Sequence, residues 1–298
     1  LLVRCSEVAY EAPVQWETSI PRLGFSKHVP LDKGSAKGVV MIVGTEAVIA
    51  FQGTDGFDDV GDWFTNLDKK LARPPNDPVH SGFLKAYRSV ADQVHQILAE
   101  NGITHVWVTG HSLGGAMAVL CALDLERTHD VRIRGVITFG QPLLLEPKFA
   151  RTANSQLDDR FLRIIHRDDI VPCVVPGLRG GGSYVWFQEG GLKFGQPLMT
   201  LYAGRDGDDA PSENDDEGPK RLTDRQFDRE KAKVLRQMAP PPEGESTLAQ
   251  GLPNSTDHKM EKYVEVVTNH FGPIHSRIAT GDPTHIKTAS PILSGRKR

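Results

Sequence analysis

The segment from Val106 to Gly115 contains a serine whose neighbours suit a nucleophile. Ser112 stands in a Gly-x-Ser-x-Gly pattern, with an apolar, β-branched run at 103–108 before it and a helix-forming run at 116–125 after it. This order predicts a strand that ends abruptly at the serine and continues as a helix, a nucleophile elbow. The flanking strand and helix favour this interpretation over a chance match in a glycine-rich loop. We therefore expect the Ser112 hydroxyl to project above a sheet edge, where it could attack an acyl carbon.

A carboxylate that orients a general base should follow the serine, at the end of a later strand. Asp169 fits this position, because it comes after the strand-like run 161–166 and directly before Ile170. Asp168 is the second candidate, but it is one step nearer the strand, so its side chain should point elsewhere. The alternative role for Asp169 is the capping of a turn. We expect Asp169 to be the acid.

The general base is expected among eleven histidines, most of which precede the acid and are treated as bystanders. His258 differs, because it opens an amphipathic helical pattern at 257–267 that Tyr263 could anchor. His270 and His275 could instead be metal ligands, but no carboxylate or thiol cluster accompanies them, and we expect solvated tail residues. We expect His258 to be the base. The bystanders are His28, His80, His95, His105, His111 and His129, together with His166 inside a strand-like run.

Two groups could stabilise the negative charge that attack on a carbonyl carbon creates. The amide of Leu113 directly follows the serine and lies at the positive end of the predicted helix. A second donor should come from a loop after an earlier strand, and the strand-like run 47–51 leads into Gly53 and Thr54. Gly53 allows a tight turn, so Thr54 could present its amide and its hydroxyl. The alternative is a simple turn at the end of the strand.

The elements that must position these residues follow an alternating pattern. Strand-like runs at 38–43 and 47–51 flank a Gly-Thr turn and predict a hairpin, and one long helix is predicted over 82–100. Strands that alternate with helices predict an α/β fold with a mostly parallel sheet, covered by helices on both faces. The other predicted elements are a helix within 1–11, strands at 135–139, 161–166 and 184–187, and a helix at 146–155.

The composition is typical of a soluble globular protein, with 298 residues, 39% of them hydrophobic and 24% charged. The formal net charge of −3 is spread over both signs, which argues against a nucleic-acid-binding surface. No apolar run approaches the roughly 20 residues that span a bilayer, so we expect membrane contact to be peripheral only. The three cysteines lack metal-ligand spacing, and we expect structural thiols, no bound metal and no cofactor.

The stretch 204–256 changes the composition of the chain sharply, because Asp, Glu, Pro, Ser and basic residues dominate it. It has too few large apolar residues for a core of its own, so we expect a polar, partly flexible surface insertion within a single domain spanning 1–298. A tail is expected over 271–298. The chain begins Leu-Leu-Val-Arg without a signal-peptide pattern, which leaves open both a secreted protein whose upstream segment was removed and a cytoplasmic one. The oligomeric state is also left open.

Taken together, seven motifs resemble the class 3, fungal-type lipase family in order and spacing. The resemblance covers about residues 1–270, except for the insertion, and implies an α/β-hydrolase fold that acts on carboxylic esters of glycerol or related acyl lipids. It implies a triad of Ser112, Asp169 and His258, with Thr54 and Leu113 at the oxyanion hole. The motifs are Phe51–Thr54, Trp63, Val79–Phe83, Val108–Gly115, Phe139–Pro142, Asp169–Pro172 and His258.

The resemblance also implies a lid at about 55–68, with Trp63 as its aromatic anchor. Trp63 and Phe64 would cover an acyl groove in water and turn outward at a lipid–water interface, unless the segment is a fixed cover of the sheet edge. Two residues depart from the family pattern: Gln52 stands where Arg is usual, and Asn66 where some relatives have Asp. An amide could still accept a hydrogen bond from Thr54.

We expect a triacylglycerol lipase that acts on a lipid or ester substrate, and three alternatives stay open at this point. A phospholipase or a feruloyl-type esterase could use the same fold and the same chemistry. A binding or signalling protein could retain the hydrolase fold and recognise partners through the insertion at 204–256, although a complete triad argues against it.

Overall fold

Eight strands form one sheet, in which each strand lies beside the next one along the chain. The computed structural model describes residues 1–32, 36–54, 79–128, 130–167, 169, 171–173, 178–188, 191–195 and 255–278. The strands are β1 (Lys27–Leu31), β2 (Gly38–Val43), β3 (Glu46–Phe51), β4 (His105–His111), β5 (Arg132–Phe139), β6 (Phe161–His166), β7 (Ser183–Gln188) and β8 (Gly191–Gly195).

The centre of the sheet is parallel and its two ends are antiparallel. Strands β3 to β7 run in the same direction, whereas β1 and β2 precede them as antiparallel neighbours and β8 follows β7 in a hairpin. Because the carboxyl ends of β3 to β6 meet at one edge, Phe51 lies opposite Gly110, and His111 lies opposite Phe139. Thr54, Ser112 and Asp169 follow strands that end at this edge.

Seven helices cover the two faces of the sheet within the described ranges. One face carries α3 (Ser81–Arg88), α4 (Ala91–Glu100), α5 (Leu113–Thr128) and α6 (Pro147–Leu157), and the other carries α1 (Leu2–Val8), α2 (Pro13–Arg22) and α7 (Met260–Ile278). Strand residues alternate between these layers, as the two-residue period requires. Val40 and Ile42 pack with the first set of helices, and Val39 and Met41 pack with the second.

Helix α5 lies at the centre of the first layer and is apolar on almost every side. Its residues from Gly114 to Leu123 are all buried, which is typical of a helix enclosed by other elements. It packs against β3, β4 and β5 as well as against α3 and α6. The helix that follows Ser112 is therefore held rigidly by the core.

The structure confirms most of the predicted elements and differs at several boundaries. The hairpin and the strand at 161–166 are present, but the long helix predicted over 82–100 is two helices. The break follows from Ser89, whose hydroxyl donates to the carbonyl of Ala86 and competes with the helical hydrogen bonds, and from Val90, which is fully buried in the core. Helix α2 begins with Pro13, and β1 contains Pro30; neither element was expected.

The structure adds detail to two expectations at the C-terminal end. The helix after His258 continues to Ile278, so the first part of the expected tail, 271–278, is helical; Pro273 removes one hydrogen bond without ending the helix. A 3-10 turn, Ser255–His258, includes the last two residues predicted to belong to the insertion. The rest of the insertion from 204, the tail from 279, Asp168 and the predicted lid with Trp63 and Phe64 lie outside the described residues.

Candidate active site

Ser112 lies at a sharp turn between the central strand β4 and the helix α5. Its φ of 57° is in the left-handed region, which is strained for a residue with a side chain. Two hydrogen bonds hold the turn: the Ser112 amide donates to the carbonyl of Phe139 at 2.9 Å, and the amide of Gly115 donates to the Ser112 carbonyl at 2.9 Å. The structure thus contains the elbow that the sequence predicted.

Two glycines make this turn possible. A β-carbon at Gly110 would lie well inside contact distance of the Gly114 carbonyl, and one at Gly114 would collide with the carbonyl of Phe51. The start of α5 therefore passes directly over the ends of β4 and β3, closer than any larger residue would permit. Ser112 is consequently brought beside the loop that follows β3.

Asp169 and His258 form a buried pair, although 89 positions separate them in the chain. The Nδ1 atom of His258 lies 2.9 Å from Oδ2 of Asp169, and both side chains are almost fully buried. The other carboxylate oxygen, Oδ1, accepts a hydrogen bond from the amide of Val171 at 2.8 Å. Because an ionised carboxylate only accepts, His258 donates from Nδ1, and Nε2 of the neutral ring carries the lone pair that a general base needs.

The imidazole of His258 lies beside the elbow. Its ring centroid is 4.5 Å from that of His111, the residue before Ser112, with an angle of 31° between the rings. The Nε2 atom of His111 is also 2.6 Å from the carbonyl oxygen of His258. At Gly140, where φ is 54°, a β-carbon would lie 2.8 Å from Asp169 Oδ2 and 2.9 Å from two atoms of the His258 ring. Residues at the carboxyl ends of β4, β5 and β6 therefore lie close together around the His258 ring.

The loop after β3 lies against the same turn. A β-carbon at Gly53 would be 3.1 Å from Cβ of Ser112 and 2.7 Å from the carbonyl oxygen of His111. Thr54 follows at once and is half-buried. Leu113 is the first residue of α5, so its N–H has no acceptor within the helix. Leu113 thus directly follows Ser112, and Thr54 directly follows the glycine that packs against it.

A model of the family described as "Lipase (class 3)" matches residues 48–178, which include Thr54, Ser112 and Asp169. Residues 48–178 are therefore similar to class 3 lipases. Its similar proteins include the secreted mono- and diacylglycerol lipase LIP1 of Malassezia globosa, 31% identical over 157 residues, which are 48% of this chain and 52% of that protein. The triacylglycerol lipase OBL1 of Arabidopsis thaliana is 30% identical over 42% of this chain and 33% of its own length. The chain therefore spans about half the length, or less, of these curated relatives.

A solved structure supports the fold of this protein. The chain is similar to lipase II from Rhizopus niveus, with 25% sequence identity and a TM-score of 0.50, and the match covers 62% of this chain and 78% of that one. Together with the mostly parallel sheet and its two helical layers, this similarity confirms the expected α/β-hydrolase fold.

Two residues at the candidate site have contacts that sequence reasoning missed. His111 was grouped with the bystanders, yet it is buried and bonded to the backbone of His258. Its position, one residue before the serine at the end of the central strand, was the available signal. Tyr263 was expected only to anchor a helix, but its hydroxyl donates to Oδ2 of Asp169 and accepts from the amide of His166 at 3.2 Å.

Among the described side chains, one further histidine and two cysteines were considered as ligands or thiols in the sequence. His270 lies along α7, with its ring 5.3 Å from that of Phe187. Cys5 and Cys121 are buried free thiols, and burial raises the pKa of Cys5 to about 12. Within the described ranges, no cluster of His, Cys, Asp and Glu is arranged to hold a metal ion. None of the described helices combines the length and the apolar character needed to cross a membrane.

Proposed function

We propose that this protein is a serine hydrolase that cleaves carboxylic esters of acylglycerols, with Ser112, Asp169 and His258 as its catalytic triad. The observation that carries the proposal is the buried hydrogen bond between His258 Nδ1 and Asp169 Oδ2, 2.9 Å long, next to the elbow that holds Ser112. That bond leaves Nε2 of His258 as the basic atom of the ring. A nucleophile, a base and an orienting acid are the minimum set for acyl transfer.

In the proposed reaction, the Ser112 hydroxyl attacks the ester carbonyl carbon while His258 Nε2 takes its proton. Asp169 stabilises the imidazolium that forms, and the negative charge develops on the former carbonyl oxygen. When the tetrahedral intermediate collapses, His258 returns the proton to the leaving glycerol oxygen, and the acyl group stays on Ser112. A water molecule then attacks the acyl carbon and gives its proton to His258. His258 returns that proton to the Ser112 oxygen as the fatty acid is released.

The proposed oxyanion hole uses the amide of Leu113 together with the amide and hydroxyl of Thr54. Support comes from the position of Leu113 at the positive end of α5 and from the close approach of Gly53 to Ser112. These donors would be held before substrate arrives, because α5 is embedded in the core. The hydrogen bonds from such preorganised donors become stronger as negative charge develops on the oxygen in the transition state.

The substrate proposal is a triacylglycerol presented at a lipid–water interface, with peripheral binding only. Relatives whose names state mono- and diacylglycerol lipase activity favour partial glycerides as a second candidate. Trp63 and Phe64 are proposed to cover the acyl groove and to move aside at the interface. A rate that rises sharply above the solubility limit of an ester is the expected sign of that movement. An unchanged rate would leave the lid proposal without support.

The test combines covalent labelling with a substrate panel. Ser112→Ala should abolish labelling by a fluorophosphonate probe and lower turnover by about four to six orders of magnitude. The wild-type protein should hydrolyse nitrophenyl esters and tri-, di- or monoolein faster than phosphatidylcholine or feruloyl esters. Near-normal hydrolysis by Ser112→Ala overturns the assignment. Absence of labelling in the wild-type protein, with a stable partner complex through 204–256, would favour a binding protein instead.

A further inference from the structure

Tyr10 and His111 connect two parts of the site that lie far apart in the chain. The amide of Gly53 donates to the Tyr10 hydroxyl at 3.1 Å, and that hydroxyl lies 2.8 Å from His111 Nδ1. The opposite ring nitrogen, His111 Nε2, lies 2.6 Å from the carbonyl oxygen of His258. A continuous series of three hydrogen bonds therefore joins the loop before Thr54 to the backbone of His258.

The direction of each bond follows from its end points. A carbonyl oxygen only accepts, so His111 donates from Nε2 to His258. Burial lowers the pKa of His111 well below its usual value, and the proximity of His258 lowers it further, so the ring is neutral. Its Nδ1 atom then accepts, and the Tyr10 hydroxyl must be the donor. The Tyr10 oxygen in turn accepts from the amide of Gly53, so each bond of the series has one donor and one acceptor.

Resting on the proposed function, we propose that Tyr10 and His111 are positioning residues for ester hydrolysis. They fix the distances of the Gly53–Thr54 turn and of the His258 backbone from Ser112. In this role Tyr10 acts through the oxyanion loop and His111 acts through His258. The substrate meets only the groups that they position.

The glycine at 53 supports this role independently. A β-carbon there would run into the Tyr10 hydroxyl, so the loop backbone is packed directly onto that oxygen. The same β-carbon position is 3.1 Å from Cβ of Ser112. A small displacement of the loop would therefore change the distance between the oxyanion donors and the nucleophile, and displacements of about 1 Å can lower catalysis on the order of a hundredfold.

The docking of α1 does not depend on Tyr10 alone, which makes a matched control possible. Ser6, on α1 and four residues before Tyr10, forms a buried 2.8 Å hydrogen bond with Thr109 of β4. This bond joins the N-terminal segment to the strand that also carries His111, but it lies outside the series that reaches Gly53. Ser6→Ala thus removes a hydroxyl contact between this segment and β4, while leaving the proposed positioning contacts in place.

The experiment compares Tyr10→Phe with Ser6→Ala in the full chain, using a soluble nitrophenyl ester. Tyr10→Phe should lower kcat on the order of 10- to 100-fold, with KM within about twofold of wild type, whereas Ser6→Ala should keep kcat. His111→Leu should lower kcat to a similar extent, and His111→Gln should recover part of that loss. In the double variant of Tyr10→Phe and His111→Leu, the loss of kcat should be smaller than the product of the two single losses. Unchanged kcat in Tyr10→Phe, or an equal loss in Ser6→Ala, overturns the proposal.

A second measurement separates this proposal from the proposed function. Hydrogen–deuterium exchange at the Gly53 amide should become faster in Tyr10→Phe than in wild type or Ser6→Ala, whether or not the protein hydrolyses esters. If the wild-type protein neither reacts with a fluorophosphonate nor hydrolyses any ester, the proposed function fails by itself. If the wild-type protein is active and exchange at Gly53 is unchanged in Tyr10→Phe, the positioning role fails by itself.

Discussion

The hydroxyl of Tyr263 donates a hydrogen bond to Oδ2 of Asp169, the same oxygen that His258 Nδ1 contacts. Burial raises the pKa of the Tyr263 hydroxyl well above its usual value, and the Asp169 carboxylate raises it further, so the group remains a donor. With the amide of Val171 on Oδ1, the carboxylate has three donors around it. The geometry fixes the orientation of Asp169.

Removal of the Tyr263 hydroxyl should weaken catalysis without removing the triad. A hydrogen bond to a buried carboxylate contributes about 1.5–3 kcal/mol, so Tyr263→Phe should lower kcat on the order of tenfold or more. Tyr87→Phe is the matched control, because Tyr87 donates to Asp124 at 2.6 Å in a tyrosine–aspartate pair formed by α3 and α5. The measurement is kcat on a soluble ester for both variants. Equal effects of the two substitutions would assign the loss to general destabilisation.

Gly140 should tolerate no side chain while the pair behind it is intact. In Gly140→Ala, the new β-carbon would press on Asp169 Oδ2 and the His258 ring, and kcat should fall on the order of a hundredfold or more. Gly44→Ala provides the control, since its φ of 57° imposes similar backbone strain but no atom lies within 4 Å of the added carbon. Gly140→Ala should also lose more stability in urea than Gly44→Ala, because it adds these collisions to the backbone strain that both variants share. Retained activity in Gly140→Ala would contradict the described contact.

The Thr54 hydroxyl should contribute to the oxyanion hole through its position beside Ser112. Thr54→Val should lower kcat by roughly ten- to a thousandfold with little change in KM, because the backbone donors remain. Thr54→Ser keeps the hydroxyl and should retain most of the activity. Steady-state kinetics on one soluble ester measure both. If Thr54→Ser is impaired as strongly as Thr54→Val, the methyl group matters instead of the hydroxyl.

His111 should make the stability of the protein depend on pH. The unfolded imidazole binds a proton near its ordinary pKa of 6.5, whereas the folded one does not, since its pKa is depressed. The unfolded state therefore binds more protons below that pH, and the stabilisation present above it is lost as the pH falls towards the folded-state pKa.

Because of His111, the free energy of unfolding should decrease by up to about 1.4 kcal/mol for each unit by which the pH falls below 6.5. His111→Gln should lose this part of the slope, as urea unfolding between pH 5 and 8 would measure. His105→Gln, at the start of the same strand, controls for the loss of a histidine as such. A slope in His111→Gln equal to that of the wild-type protein would show that the folded ring titrates normally.

The strand, turn and helix around Ser112 were predictable because local patterns encode them. Alternating and periodic apolar residues specify β4 and α5, and the glycines on either side of the serine specify the turn. The break at Ser89 and the edge strand β1 were not predictable in this way. Buried packing of Val90 decides the first, and pairing with β2 overrides the proline of the second.

The sequence by itself determined the α/β-hydrolase fold and the set of residue types available at the carboxyl edge of the sheet, because these depend on local periodicity and chain order. Only the tertiary structure decided that Tyr10, His111 and Tyr263 meet that set. Their hydrogen bonds join positions 43 to 147 residues apart, and no local pattern reports a hydrogen bond formed when separate segments pack around one strand end.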